Sequence, residues 1–280
     1  MRDISYDQIV ETVRDLCIQS NCQLSRDVQK ALKQAAVLEA SEVGRSLLQN
    51  AVDNFTLAQD EGLPICQDTG MAVVFVRMGQ EVHIKGGLLS DAVNEGVRRG
   101  YLEGCLRCSV VEDPLRRVNT EDNTPAILHM QLTAGDRLHI TVAPKGFGSE
   151  NMTVLKMFRP STSQQEVEDF VVEAVDQAGS NPCPPVIVGV GLGGTSEYAA
   201  LLAKQALLLP VDKPHPDPYY ADMEHRIRSR INALGIGPQG LGGTFTALSV
   251  RILTYPTHIA GLPCAVNLGC HVTRHASKQL

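Results

Sequence analysis

Residues 185–208 read Pro-Val-Ile-Val-Gly-Val-Gly-Leu-Gly-Gly-Thr-Ser-Glu-Tyr-Ala-Ala-Leu-Leu-Ala-Lys-Gln-Ala-Leu-Leu. The apolar run Pro185–Val190 has the length and composition of a buried strand. A glycine turn (Gly189, Gly191, Gly193, Gly194) and an alanine- and leucine-rich helix, Glu197–Leu208, follow it. Strand, glycine turn and helix in succession place the chain in the α/β class. Residues 189–194 also match G-x-G-x-x-G, the dinucleotide fingerprint. That reading requires an acidic residue closing the next strand about 20 residues on. Asp212 lies near that distance, but inside a loop (210–218) that holds four prolines. The sequence therefore argues against NAD and leaves a smaller anion, such as a carboxylate, for the turn's amides.

Outward from this stretch, the first 60 residues read as helix. Ile4, Ile9, Val10, Val13, Leu16 and Cys17 fall at helical spacing, and a second helical stretch runs from Asp27 through Leu57. Ser25-Arg26-Asp27 supplies caps. Residues 72–77 predict a buried strand, and 91–101 a helix with Ala92, Val93 and Val97 on one face. The segments 126–132 and 137–143 resemble a hairpin around Ala134-Gly135-Asp136. Further helices are expected over 166–177 and 220–234, with a second glycine turn at 237–244. Gly-Leu-Gly-Gly-Thr recurs at 191–195 and 240–244, too short for a fold-level repeat. With no linker or low-complexity tract, the expectation is a mixed α/β domain spanning 1–280, with a helical N-terminus and sheets flanked by helices. Any division into two lobes would fall near residue 180, with the chemistry between them.

The chain has 280 residues, 43% hydrophobic and 20% charged, with a net charge of −6. With no basic block and only six Phe and six Tyr, a stacking nucleic-acid groove is not expected. No apolar run approaches the roughly 20 residues of a membrane span, and the N-terminus lacks the plan of a secretory signal. A cytoplasmic, reducing setting follows, in which eight cysteines serve as buried, catalytic or metal-binding thiols.

Those eight differ in their neighbours. Cys66 stands in Pro-Ile-Cys-Gln-Asp-Thr-Gly, beside an amide and a carboxylate. Cys183 is flanked by Pro182, Pro184 and Pro185, which remove backbone freedom. Cys270 follows Asn267 and Gly269 and precedes His271, Arg274 and His275. Three thiolates can hold three irons of a [4Fe–4S] cube and leave the fourth open to act as a Lewis acid. The Cys105-Leu-Arg-Cys108 pair has no second pair to complete a zinc site, and it continues a helix on which both thiols would pack. Cys17 and Cys22 belong with the N-terminal helix, and Cys264 heads an apolar run and reads as core. The 145–151 stretch, Lys-Gly-Phe-Gly-Ser-Glu-Asn, is a polar loop suited to an anion. Arg98, Arg99 and Arg107 are candidates to clamp a carboxylate, against the plainer reading of a solvated helix face. His258, isolated in an apolar setting, is either a structural histidine or an acid/base.

Assembled, these segments resemble the α subunit of the class I (iron–sulfur) fumarate hydratases. The likeness runs from about residue 10 to the C-terminus, through 65–70, 94–99, 106–111, 117–125, 145–151, 181–194, 234–240 and 258–271. It implies reversible hydration of fumarate to L-malate, a step of the tricarboxylic acid cycle, at an oxygen-sensitive [4Fe–4S] cluster with one iron free of protein ligands. Cys66, Cys183 and Cys270 match the ligands, and Gln67, Asp68, Arg107 and Gly148 the substrate contacts, with Arg98 or Arg99 as alternatives to Arg107. His258 matches a histidine that reaches the site from a neighbouring α protomer and pairs with the aspartate, so Asp68 and His258 are the expected proton relay. The family's Lys-Gly-Thr-Thr-type segment is absent, which implies a separate β subunit and an α2β2 assembly. The α subunit of L(+)-tartrate dehydratase is the related alternative. A non-catalytic redox or sensor protein is another, for which Cys264 would be the nearest fourth ligand.

Overall fold

Ser5 opens the first long helix by accepting a hydrogen bond from the Gln8 N–H, while Gln8 bonds back to the Ser5 N–H. The residues before it are already extended. In the computed structural model, which describes residues 1–280, β1 (Arg2–Ser5) pairs in parallel with β3 (Val82–Lys85). Ile4 is thus a strand residue, not the start of the helix. The chain forms two units interleaved in sequence: Met1–Ser25, Phe55–Phe147 and Arg274–Leu280 make the first, and Arg26–Asn54 with Gly148–Thr273 the second. The long crossing falls at Phe147–Gly148 rather than near 180. No helix is long and apolar enough to cross a membrane.

In the first unit α1 (Tyr6–Cys22) packs on α4 (Leu89–Glu103). Gly96 and Gly100 make that approach possible: a Cβ on either would sit 2.6 Å from Val13 Cβ or 2.7 Å from Cys17 Cβ. Both helices bury their apolar faces with a sheet ordered β10-β5-β2-β4 (Ala276–Gln279, Leu138–Lys145, Met71–Gly79, Ile127–Thr133). The expected hairpin does not form. β2 lies between β4 and β5, parallel to one and antiparallel to the other. The most apolar run takes the centre of the sheet, and the connecting turn passes over the end of β2. There a side chain on Gly79 would lie 2.2 Å from the Gly135 carbonyl oxygen, so only glycine admits the crossing.

The expected helix from residue 27 breaks into α2 (Arg26–Leu38) and α3 (Glu42–Glu61), the latter in the second unit as far as Asn54. Buried Glu39 marks the break: its carboxylate accepts N–H bonds from Ser41, Thr244 and Phe245. The sheet is ordered β6-β9-β7-β8 (Val154–Phe158, Leu262–Gly269, Val186–Gly193, Ala247–Tyr255), with β7 buried along its whole length. The valines, Met223 and isoleucines of α6 (Gln164–Ala178) and α8 (Pro218–Ala233) pack in its larger core. Small residues of α7 (Ser196–Ala206) pack with Ala265. Gly189, Gly191 and Gly193, expected in a turn, lie inside β7. A Cβ at Gly189 or Gly191 would come within 2.1 Å of Ala203 O or 2.0 Å of Ala199 O. Close packing against α7 is what requires them.

Candidate functional site

Cys66, Gln67 and Asp68 sit on the short segment between α3 and β2. Cys66 is partly exposed, and its thiol donates to Gln67 Oε1 at 3.5 Å. The Asp68 carboxylate is fixed through both oxygens: Oδ1 accepts the Gly70 N–H and Oδ2 the Phe147 N–H, each at 3.0 Å. Gly146 lies against it, since a Cβ there would be 3.0 Å from Oδ2.

The backbone of this segment is held from below by polar groups the sequence reading did not assign. Tyr101 has no exposed surface, and its hydroxyl donates to Thr69 O (2.8 Å) and Gly70 O (3.0 Å). Burial pushes that phenol's pKa up, so it remains a donor. Asn123 Nδ2 also reaches Gly70 O, while its Oδ1 accepts the Ser109 N–H. Buried Arg274 donates to Asp68 O at 2.6 Å and Asn21 Oδ1 at 3.2 Å. The Thr69 hydroxyl donates to Arg107 O, tying the loop to the chain after α4.

The three candidate arginines separate clearly. Arg98 and Arg99 both bind Glu95, with contacts of 2.6–2.7 Å. Arg98 first, then Arg99, holds the Glu95 carboxyl down at about 2. Their charge is engaged by that carboxylate. Arg107 is exposed and makes no ion pair. The helix ends at Glu103, and Cys105 takes a left-handed φ of 51°, so Cys105 and Cys108 do not share a helical face as expected. Cys105 is exposed, while Cys108 packs against the core of the first unit.

The other two candidate thiols belong to the second unit. Cys183, with φ 53°, is exposed on the turn before the cis Pro184–Pro185 bond. Cys270 is partly exposed just beyond β9. Their segments are joined: the His271 N–H donates to Cys183 O (3.3 Å), and His271 Nδ1 is 3.0 Å from the same oxygen. Gln239 secures the turn by donating through its backbone N–H and Nε2 to Pro184 O. Gly148 is exposed in the single helical turn 147–150. Nearby, Glu150 accepts from Lys204 and from Asn267 Nδ2 (2.9 Å).

His258 is exposed on the loop between β8 and β9, not in the apolar setting expected. Its Nδ1 accepts the Ala260 N–H at 3.1 Å. The neutral ring therefore carries its proton on Nε2, which is left for outside contacts.

Comparison with known proteins gives this arrangement a class. The family model for fumarate hydratase (Fumerase) matches residues 10–279, and the chain belongs to that family of hydro-lyases. Among its relatives, the putative L(+)-tartrate dehydratase subunit alpha of Methanocaldococcus jannaschii is 37% identical over 280 residues, covering 98% of this chain and 96% of that one. The L(+)-tartrate dehydratase subunit alpha of Escherichia coli O157:H7 is 33% identical over 275 residues, covering 97% and 90%. The corresponding subunit of Shigella boydii serotype 4 is 32% identical over the same length.

Whether the residues suit an iron–sulfur cluster is decided by the thiols. A ligand must be thiolate, which burial disfavours. Burial raises the Cys17 and Cys22 thiols and pushes Cys264 up to about 12. Burial raises Cys108 as well. Cys66, Cys183 and Cys270 are none of them buried, carry no disulfide, and stand on short segments between regular elements. No three His, Cys, Asp or Glu groups converge on a point sized for a single metal ion. By its chemistry, each of Cys66, Cys183 and Cys270 is suited to serve as a cluster ligand, whereas buried Cys264 is not suited to be a fourth.

Proposed function

We propose that this chain is the α subunit of a two-chain hydro-lyase that adds water reversibly to fumarate, giving L-malate. In this reading Cys66, Cys183 and Cys270 hold a [4Fe–4S] cluster. When bound, such a cluster supplies an iron that acts as a Lewis acid toward the substrate oxygens. The observation that carries the reading is the Cys66-Gln67-Asp68 segment: a partly exposed thiol next to an amide and a carboxylate fixed by two backbone N–H groups.

Each further role follows from a property of the residue. Asp68 is oriented before substrate arrives, so no reorganisation is spent on aiming it. Arg107, exposed and outside any ion pair, is free to bind a substrate carboxylate bidentately. Gln67 supplies an amide, and the exposed Gly148 lets a ligand approach the backbone. His258, with Nδ1 occupied by its own loop, exchanges the proton at Nε2, and pairing with Asp68 would come from a neighbouring copy of the chain. The relatives are named as alpha subunits, which supports a β partner carrying the remaining catalytic groups. A reducing cytoplasm suits thiols that form no disulfide.

A second reading, dehydration of L(+)-tartrate, is favoured by the names of those relatives. Its chemistry differs by one substrate hydroxyl. The deciding experiment is anaerobic reconstitution with the β partner, followed by assay on fumarate, L-malate, L(+)-tartrate and mesaconate. Turnover of fumarate and malate is expected, and turnover of tartrate alone would replace the first reading with the second. Efficient hydration by the cluster-loaded chain without a partner would sink the two-chain assignment.

A further inference from the structure

The second unit contains a cavity of about 240 Å³ that uses none of the candidate site residues. The 211–214 loop, α8 and β8 enclose it, and its charged lining is Asp212, Lys213, Glu224, Arg228 and Arg251, with His225 beside them. Three cations against two carboxylates leave it net positive by one on a chain whose net charge is −6.

Its deepest charged group is Arg251, 5% exposed, whose Nη1 donates to Glu224 Oε2 at 2.7 Å. Glu224 is 6% exposed, and its acceptors are fully used. Oε1 takes the Ile252 N–H, and Oε2 takes the His215 N–H in addition to Arg251. The guanidinium is not matched in the same way, for its Nε has no acceptor. A buried charge with unmet donors is costly to keep. Protection of the β8 edge explains Glu224, which meets the Ile252 N–H of an outer strand. It does not explain why half-buried Arg228 and exposed Lys213 line the same space without an ion pair of their own.

We propose that this cavity binds a compact oxyanion, inorganic phosphate or a short dicarboxylate, held by Arg228 and Lys213 and attracted by the Arg251 charge beneath them. Forked guanidinium donors match the paired oxygens of either ion. The volume falls below the roughly 300 Å³ at which pockets for larger organic ligands begin, which favours a small guest.

The test is isothermal titration of the full-length chain with phosphate, with succinate as an unreactive dicarboxylate, and with chloride at matched ionic strength. The Arg228→Gln and Lys213→Gln variants are compared alongside; neither side chain is in an ion pair, so both variants should fold. Saturable binding of phosphate or succinate, weakened about tenfold in Arg228→Gln, is expected, because one charge-assisted contact is lost. Direct competition between the two ions shows which is preferred. Succinate binding that survives both substitutions belongs to another site and does not count. A response equal to that of chloride, or phosphate and succinate affinities unchanged in both variants, overturns the proposal. A merely linear stabilisation by phosphate, the generic effect of an excluded salt, does so too.

Discussion

Removing one oxygen atom, in Tyr101→Phe, tests how the Cys66–Gly70 loop is held in place. The ring is fully buried, so its packing is retained and only the hydroxyl is lost. That hydroxyl donates to Thr69 O at 2.8 Å and Gly70 O at 3.0 Å. Gly70 O keeps its bond from Asn123 Nδ2 at 3.1 Å, but Thr69 O has no other protein donor. The loss is thus one shared hydrogen bond, with one buried carbonyl left bare. Together these cost about 2 kcal/mol, which for a chain of this length lowers the melting temperature by about 4–8 °C. Differential scanning calorimetry at neutral pH reads that shift directly. Asn123→Ala in the same background should be non-additive with Tyr101→Phe, because both donors serve Gly70 O. A melting temperature within about 1 °C of wild type, or strict additivity of the pair, would refute this account of the loop.

Three further outcomes follow from the same geometry. Glu39 suffers from burial, yet the N–H groups of Ser41, Thr244 and Phe245 outweigh it and hold the carboxyl below its usual 4.5. Its contribution is therefore present above that pH and lost as the pH falls through the lowered value. Glu39→Gln should cost about 1–3 kcal/mol at neutral pH by orphaning a backbone donor, with the gap narrowing in urea titrations run below 4.5. Serine in place of Cys66, Cys183 or Cys270 should each reduce iron retained after anaerobic reconstitution, while Cys264→Ala and Cys105→Ala should retain it; equal iron in all five would remove the ligand assignment. Gly191→Ala places a methyl 2.0 Å from Ala199 O, and should destabilise by on the order of 3 kcal/mol in chemical denaturation; a neutral result would mean α7 can shift freely.

Strongly patterned elements were legible in the sequence because local signals and burial agree there. The strand and helix around 185–208, the helices near 91–101 and 166–177, and the strand at 72–77 all form within a few residues of expectation. Pairing was less legible. Strands β4 and β5 are sequence neighbours across a turn, yet each pairs with β2, a choice made by burial across the whole sheet. The helix break at Glu39 depends on backbone donors 205 and 206 residues away. The site shows the same division. The three cysteines stand out through their immediate neighbours, whereas Tyr101 and Asn123 act on residues 31 to 53 positions away. Asn123 carries one local hint, a left-handed φ of 61° in a segment rich in turn formers.

The fingerprint-like run at 189–194 shows why a motif has to be read with its contacts. In a dinucleotide site the glycines bring backbone amides to a pyrophosphate at a helix N-terminus. Here Gly189 and Gly191 are spent inside β7 on the approach of α7. Gly193 accommodates Tyr255, whose carbonyl oxygen would be 1.9 Å from a Cβ at that position. The Gly194 N–H is given to Pro256 O, and Gly194 O accepts the Thr257 hydroxyl. The first turn of α7 then presents Glu197, ionised and bonded to Thr195. An incoming anion would meet the Glu197 carboxylate at this helix end, which works against the carboxylate-binding role expected of the turn. What the last two glycines do support is the chain running from Tyr255 to His258. The same residues that imitate a nucleotide site thereby fix the base of the loop that carries the candidate proton donor. Their requirement for glycine comes from backbone packing on both sides, with no phosphate involved.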